Sequence, residues 1–150
     1  MRISLIGMPA SGKSTIGKKM AKELGYSFID LDDLIVEQEN VNIPEIFTHQ
    51  GEDYFRKAEQ KALFTALEQP KVVIATGGGT PCFFENMEYI NAHSLSIWIN
   101  LSIPALVDRL LKNQHRPLYQ LPEDELCQKI EETYQKRVFF YQKAKLVLDI

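Results

Sequence analysis

An α/β fold, doubly wound around a parallel sheet, is predicted by three features of this 150-residue chain. Short apolar runs rich in β-branched residues recur along it. Amphipathic helical stretches lie between those runs, the order expected of strand–helix–strand crossovers. The runs are also nearly continuous in apolar character, which suits strands covered on both faces.

The elements follow in order. "RISLI" (2–6) reads as the first strand. In "SGKSTIGKKMAKELG", Ile16, Met20 and Leu24 recur every four residues, and Gly25 supplies a left-handed end to a helix. "SFIDL" (27–31) is the second strand. "NIPEIF" carries Asn42 and Pro44, which suit an N-terminal helical turn. "GEDYFRKAEQKALFTALEQP" is a long amphipathic helix ended by Pro70. "KVVIAT" (71–76) and "SLSIWINL" (94–101) are the third and fourth strands, with Trp98 in the core. Ser102 can cap the helix in "SIPALVDRLL". After the connector "KNQHRPLYQL" (112–121), Pro122 and three acids open a last helix, where they complement its dipole. "KLVLDI" (145–150) is the fifth strand. No repeat or linker interrupts this order, so residues 1–150 form a single domain.

Composition narrows the partners. Hydrophobic residues make up 45% and charged residues 25% of the chain, enough for a core without covalent staples. A net charge of −3 predicts no general attraction to nucleic acid or to an anionic membrane. The chain starts directly with a strand-like run, and no apolar stretch approaches the ~20 residues of a membrane span. A soluble, cytoplasmic protein is expected. Cys82 and Cys127 lack metal-ligand spacing and are expected to be free thiols. His49, His93 and His115 are scattered and read as surface residues.

"GMPASGKST" carries the strongest chemical signal. Gly7, Gly12, Lys13 and Ser14 match G-x-x-x-x-G-K-[ST], with a strand before and a helix after. In that setting backbone N–H groups converge on phosphate oxygens at a helix N-terminus. Lys13 reaches the outer phosphates and the Ser14 hydroxyl ligates Mg²⁺, with Ala10, Ser11 and Thr15 completing the nucleotide-binding stretch. A G-x-G-x-x-G fingerprint is absent, which argues against hydride transfer. A site for a nucleoside triphosphate is predicted.

The remaining motifs concern what receives the phosphoryl group. Asp30 and Asp32 in "FIDLDD" would share a face if both lie on the second strand. One could then support Mg²⁺ and the other take a proton from a substrate hydroxyl. An Asp capping a helix explains the same position equally well. Arg56 and Glu59, spaced i and i+3, form either a solvated pair or an arginine held for an anionic ligand. Phe47, Tyr54 and Phe55 beside them suggest an apolar cleft wall. Three glycines in "ATGGGTP", Gly77, Gly78 and Gly79, point to close approach of a ligand to the backbone. The third strand ends without the acidic residue of ordinary ATPases and GTPases, and no Asn-Lys-x-Asp stretch is present. Only 5 of the 17 basic residues are arginines, and Arg56, Arg109, Arg116 and Arg137 all fall in these site-like stretches. Arg116 sits in a ten-residue connector, longer than the usual ~2–8 between helices, and could close over phosphates. Arg109 either faces the nucleotide or is solvated, and Arg137 either snorkels outward or meets an anion.

Together "GMPASGKST", "FIDLDD", "GEDYFRKAE", "TGGG", "RPL" and "KR" near the last strand resemble the shikimate kinases over nearly the whole chain. The resemblance implies a three-layer α/β/α P-loop kinase fold, with a five-stranded parallel sheet in strand order 2-3-1-4-5. It implies transfer of the ATP γ-phosphoryl to the 3-hydroxyl of shikimate, with Mg²⁺, on the route to aromatic amino acids. Lys13, Asp32 and Arg116 would serve the transfer, and Ser14 and Asp30 would support the metal. Arg56 and Arg137 would clamp the acceptor carboxylate, Glu59 would position Arg56, and Phe47 and Phe55 would line the pocket. Asp32 and the backbone of Gly77, Gly78 and Gly79 would bind the hydroxyl side, and Arg109 the nucleotide. A substrate-binding region over about 31–60, a lid over about 112–122 and a monomeric state are also expected. Ala10 and Tyr119 stand where the family often has glycine and leucine. Family members commonly continue past "LVLDI" into an adenine-contacting loop and a final helix. The rivals are a gluconate or other small-molecule kinase and a non-catalytic ATP-binding relative.

Overall fold

In the computed structural model, which describes residues 1–113 and 121–150, five strands form one parallel sheet. The strands are β1 (Arg2–Ile6), β2 (Ser27–Asp30), β3 (Val72–Ala75), β4 (Leu95–Asn100) and β5 (Leu146–Asp149). Their spatial order is β2-β3-β1-β4-β5, as expected. β1 pairs with β3 (Leu5 opposite Ala75) and with β4 (Ile6 opposite Trp98), so it lies at the point where the winding reverses.

Alternation along the strands builds two cores. Leu5, Val73, Ile97 and Ile99 pack on one face with Ala21 of α1 (Lys13–Leu24). Ile6, Val72, Ile74 and Trp98 pack on the other, against α2 (Leu31–Glu39), α3 (Ile43–Ala66), α4 (Asn86–His93), α5 (Ile103–Lys112) and α6 (Glu123–Tyr141). The result is three layers. Gly25 ends α1 in the left-handed conformation (φ 70°), Asn42 caps α3 through the amide of Glu45, and Ser102 caps α5 through that of Ala105. Cys82 and Cys127 are free. Among the described residues no helix is long and apolar enough to cross a membrane.

Four features depart from the sequence expectations. Leu31 does not extend β2. The Asp30 carboxylate accepts from the amides of Asp32 and Asp33 (3.0 and 3.4 Å), which stops the strand and starts α2. No apolar periodicity marks α4, because only Met87 and Ile90 turn fully inward as its apolar anchors. α3 unites the two predicted helical stretches across a kink at Gly51 and ends at Ala66, ahead of Pro70. β5 is not buried on both faces. Leu146, Val147 and Leu148 are 51%, 50% and 42% exposed, because β5 is the sheet edge and, among the described residues, pairs with β4 alone.

The carboxyl ends of β1, β2 and β3 lead into the glycine-rich loop, Asp30 and Thr76–Gly79. The turn out of β1 leaves no room for a side chain. Gly7 has φ 146°, and a Cβ there would stand 2.6 Å from the carbonyl oxygen of Ile99. Gly7→Ala is therefore expected to lower folding stability by about 3 kcal/mol, read from urea denaturation, since backbone rather than a side-chain tip must yield.

Candidate active site

One cavity of about 470 Å³ opens at this edge of the sheet. Its first wall is the loop between β1 and α1. The loop closes on itself through Ser11 N–H to the Met8 carbonyl (3.2 Å) and delivers Gly12, φ 98°, as the N-cap of α1. Ala10 takes φ 67°, a left-handed conformation that a glycine adopts freely and that costs alanine about 1 kcal/mol. Lys13 is 8% exposed, and its Nζ donates to the carbonyls of Gly7 and Met8, both at 2.8 Å. The Ser11 hydroxyl is buried in the same loop without a hydrogen-bond partner among the described residues. Gly12, Lys13, Ser14 and Thr15 line the cavity, so a helix N-terminus and an ammonium face it together, which fits a phosphate. Arg109, reaching from α5, donates to the Ala10 carbonyl at 3.2 Å and lies against Gly12.

The second wall carries the carboxylates. Ser14 Oγ donates to Asp30 Oδ2 at 2.7 Å, while Asp30 Oδ1 caps α2. Asp30 is thus both cap and site residue, one oxygen for each task. Among the described residues no three His, Cys, Asp or Glu side chains are grouped so as to hold a metal ion. The Ser14–Asp30 pair suits Mg²⁺, which takes one or two protein oxygens and completes its shell with phosphate and water. Asp32 lines the cavity from the first turn of α2 rather than from a strand. Its Oδ1 lies 3.5 Å from where a Gly77 Cβ would stand.

The third wall is cationic. Arg56 Nη1 donates to Glu59 Oε1 at 3.0 Å, and Glu59, 1% exposed, accepts from Thr80 Oγ1 on its other oxygen at 2.8 Å. The pair is therefore buried rather than solvated. The guanidinium carbon of Arg56 sits 3.9 Å from the centre of the Phe83 ring and 5.2 Å from that of Phe55. Phe47 stacks behind Phe55 with ring centres 4.6 Å apart, and the cavity wall is Phe55 rather than Phe47. The triple glycine makes room for the protein's own side chains. A Cβ on Gly78 would stand 2.7 Å from Arg137 Nη1, and one on Gly79 2.8 Å from Arg56 Nη1. Two guanidinium groups from α3 and α6 thus lie over adjacent glycines.

Arg116 lies outside the described residues, as do His115 and Tyr119. Every other predicted site residue except Phe47 falls on the cavity wall or, like Gly7 and Ser11, in the loop that shapes it. Three supporting residues escaped the sequence reading. Thr80 holds Glu59, and Phe83 covers Arg56. Tyr141, fully buried in α6, donates to the Gly78 carbonyl. None has a motif of its own, although Thr80 follows the triple glycine directly and Phe83 comes three residues later.

The family model for shikimate kinase matches residues 9–149. The chain belongs to the shikimate kinase family. A shikimate kinase of Phocaeicola vulgatus is 45% identical over 147 residues, covering 96% of this chain and 83% of the relative. The crystal structure of the shikimate kinase of Bacteroides thetaiotaomicron superposes with a TM-score of 0.96 at 38% identity, over 99% of this chain and 86% of that one. A shikimate kinase of Acinetobacter baumannii, solved in complex with shikimate, superposes at 0.91 with 28% identity, over 99% and 83%. A deoxyadenosine kinase with bound dATP, 17% identical at a TM-score of 0.58, shares the fold alone.

Removing Glu59 would leave Arg56 with only the looser, exposed Glu52 carboxylate at 3.7 Å and would strip the buried Thr80 hydroxyl of its acceptor. Glu59→Ala is expected to cost on the order of 3 kcal/mol in urea denaturation, and Glu59→Gln, which keeps an accepting oxygen, less. Beside this pair, burial pushes the Cys82 thiol up to about 11 despite the opposing pull of Arg137 and Arg56. Iodoacetamide at pH 8 should therefore label Cys82 on the order of 100-fold more slowly in the folded than in the urea-unfolded chain, as followed by mass spectrometry.

Proposed function

We propose that this chain transfers the γ-phosphoryl group of ATP to the 3-hydroxyl of shikimate, giving shikimate 3-phosphate and ADP on the route to chorismate and the aromatic amino acids. The observation that carries the reading is the shared cavity. A phosphate-cradling loop, a carboxylate over a glycine backbone and two arginines face one space. An acceptor that is both hydroxylated and carboxylated matches that set. Family membership supports ATP and Mg²⁺ as the donor and its metal.

Each residue then has a part. The backbone N–H groups of Ala10–Thr15 and the Lys13 ammonium hold the triphosphate, with Arg109 against the nucleotide. Ser14 and Asp30 hold Mg²⁺, which when bound offsets phosphate charge. Arg56 and Arg137 orient the acceptor through its carboxylate, because planar guanidinium groups match carboxylate geometry. Phe55 closes the apolar side with Phe47 behind it, and Glu59 keeps Arg56 in place. The Asp32 carboxylate accepts the hydrogen bond of the acceptor hydroxyl and takes its proton as the oxygen becomes a nucleophile. Arg116 is assigned to transition-state charge from its place in the connector.

The same reading makes residues 1–150 a single kinase domain, with an acceptor-binding region over about 31–60 and a lid over about 112–122. Asp32, Phe55, Arg56 and Glu59 on the cavity wall support the first, and the connector between α5 and α6 supports the second. The reading also takes the chain to be a cytoplasmic monomer without nucleic-acid or membrane partners; a net charge of −3 provides no general attraction to polyanions.

ADP release in ATP and Mg²⁺ tests the assignment, with shikimate, gluconate, nucleoside monophosphates or no acceptor. Release with shikimate alone is expected, and equal release with gluconate or without acceptor would overturn the reading. Arg56→Ala and Arg137→Ala should each raise the KM for shikimate about 10–100-fold, the loss of a charged hydrogen bond. Asp32→Asn should lower kcat about 10²–10⁴-fold with the KM for ATP little changed.

A further inference from the structure

Arg56 is restrained in two different ways. Glu59 Oε1 takes one of its N–H groups, and the Phe83 ring covers its guanidinium carbon at 3.9 Å. The two restraints differ in what they consume. A carboxylate uses a donor and offsets charge, whereas an aromatic face attracts the cation through its quadrupole and leaves the in-plane donors untouched. Arg56 Nε, buried, has no hydrogen-bond partner among the described residues. The nearest further carboxylate oxygen, on Glu52, is 3.7 Å from it.

The chain spends local structure on placing this ring. After Gly79 the backbone winds through a 3₁₀ turn (Thr80–Cys82), held by Cys82 N–H to the Gly79 carbonyl at 3.0 Å. Asn86, fully buried, donates from its side chain to the Thr80 carbonyl at 3.0 Å and from its amide to the Phe83 carbonyl at 3.2 Å. Phe84 turns away at φ 53°, a left-handed conformation unusual for a bulky residue. Phe83 is thereby turned back over Arg56 while Phe84, 53% exposed, points outward.

We propose that Phe83 is a positioning residue for acceptor binding: its ring holds the Arg56 guanidinium in place before the acceptor arrives, leaving N–H groups free for the acceptor carboxylate. The inference rests on the reading that Arg56 binds that carboxylate. Ordering a long arginine side chain costs entropy, and a stacked arginine has met that cost on folding rather than on binding. The contribution falls on acceptor affinity and leaves the nucleotide and the transfer step alone.

Steady-state kinetics of Phe83→Leu, which keeps an apolar side chain but no ring face, test this beside Phe83→Tyr, which keeps the face. Phe83→Leu is expected to raise the KM for shikimate about fivefold, with kcat within about twofold and the KM for ATP unchanged. Phe83→Tyr should stay within about twofold of the parent, and Phe83→Leu should add nothing to kcat/KM for shikimate in an Arg56→Ala background. An unchanged shikimate KM in Phe83→Leu beside an impaired Arg56→Ala would overturn the role of Phe83 alone. So would Phe83→Tyr failing as far as Phe83→Leu, or a Phe83→Leu effect that persists without Arg56. An Arg56→Ala enzyme with normal shikimate KM would overturn the carboxylate reading and this inference with it. Should Phe83→Leu yield no folded protein, Phe83→Met carries the same comparisons.

Discussion

Parallel pairing of β1 with both β3 and β4 is the constraint on which the site depends. Parallel neighbours need crossover connections, and helices on opposite faces turn the chain away from β1 in opposite directions. A crevice therefore opens beyond its carboxyl end. Into it feed the loop after β1, the capping Asp30 at the end of β2 and the glycines after β3, three segments distant in sequence. The tight exit at Gly7, pressed against the Ile99 carbonyl, ties the loop to β4 as well.

Charge within the cavity is arranged by what each wall must hold. Lys13 rests on two backbone carbonyls, and Ser14 rests on Asp30, so the donor side is ordered by bonds a phosphate and a metal can replace. On the acceptor side Arg56 is fastened by a buried carboxylate that is itself fastened by Thr80. Arg137 shares the glycine segment with it, and Tyr141, one helical turn further along α6, anchors that segment through the Gly78 carbonyl. Missing side chains at Gly78 and Gly79 let two like charges approach one backbone stretch. A carboxylate completes such a pair better than a neutral group does.

For Asp30 and Asp32 the sequence left two readings open, a shared strand face or a helix cap. The structure takes the cap: Asp30 ends the strand by capping α2, and Asp32 enters the cavity from a helix turn. Both paths bring the two residues to the same carboxyl edge. The triple glycine is crowded from inside the chain as well. Gly77, Gly78 and Gly79 line the cavity, and Arg56, Arg137 and Pro9 lie where side chains on Gly78 and Gly79 would stand. α4 and the exposure of β5 were not legible, since two buried anchors make no periodic pattern and an apolar run does not say whether anything packs against it.

The sequence by itself determined the α/β layering, the glycine-rich loop after β1 and most of the residues that line the cavity. Period, turn chemistry and motif spacing are local properties, and they survive without knowledge of what lies across the cavity. Only the tertiary structure decided that Glu59 is buried between Arg56 and Thr80, that Phe55 rather than Phe47 forms the wall, and that Phe83 covers the arginine. Those are contacts between residues far apart in the chain or turned by a single loop. Their distances follow from how β3, α3 and α6 pack, which no local pattern encodes.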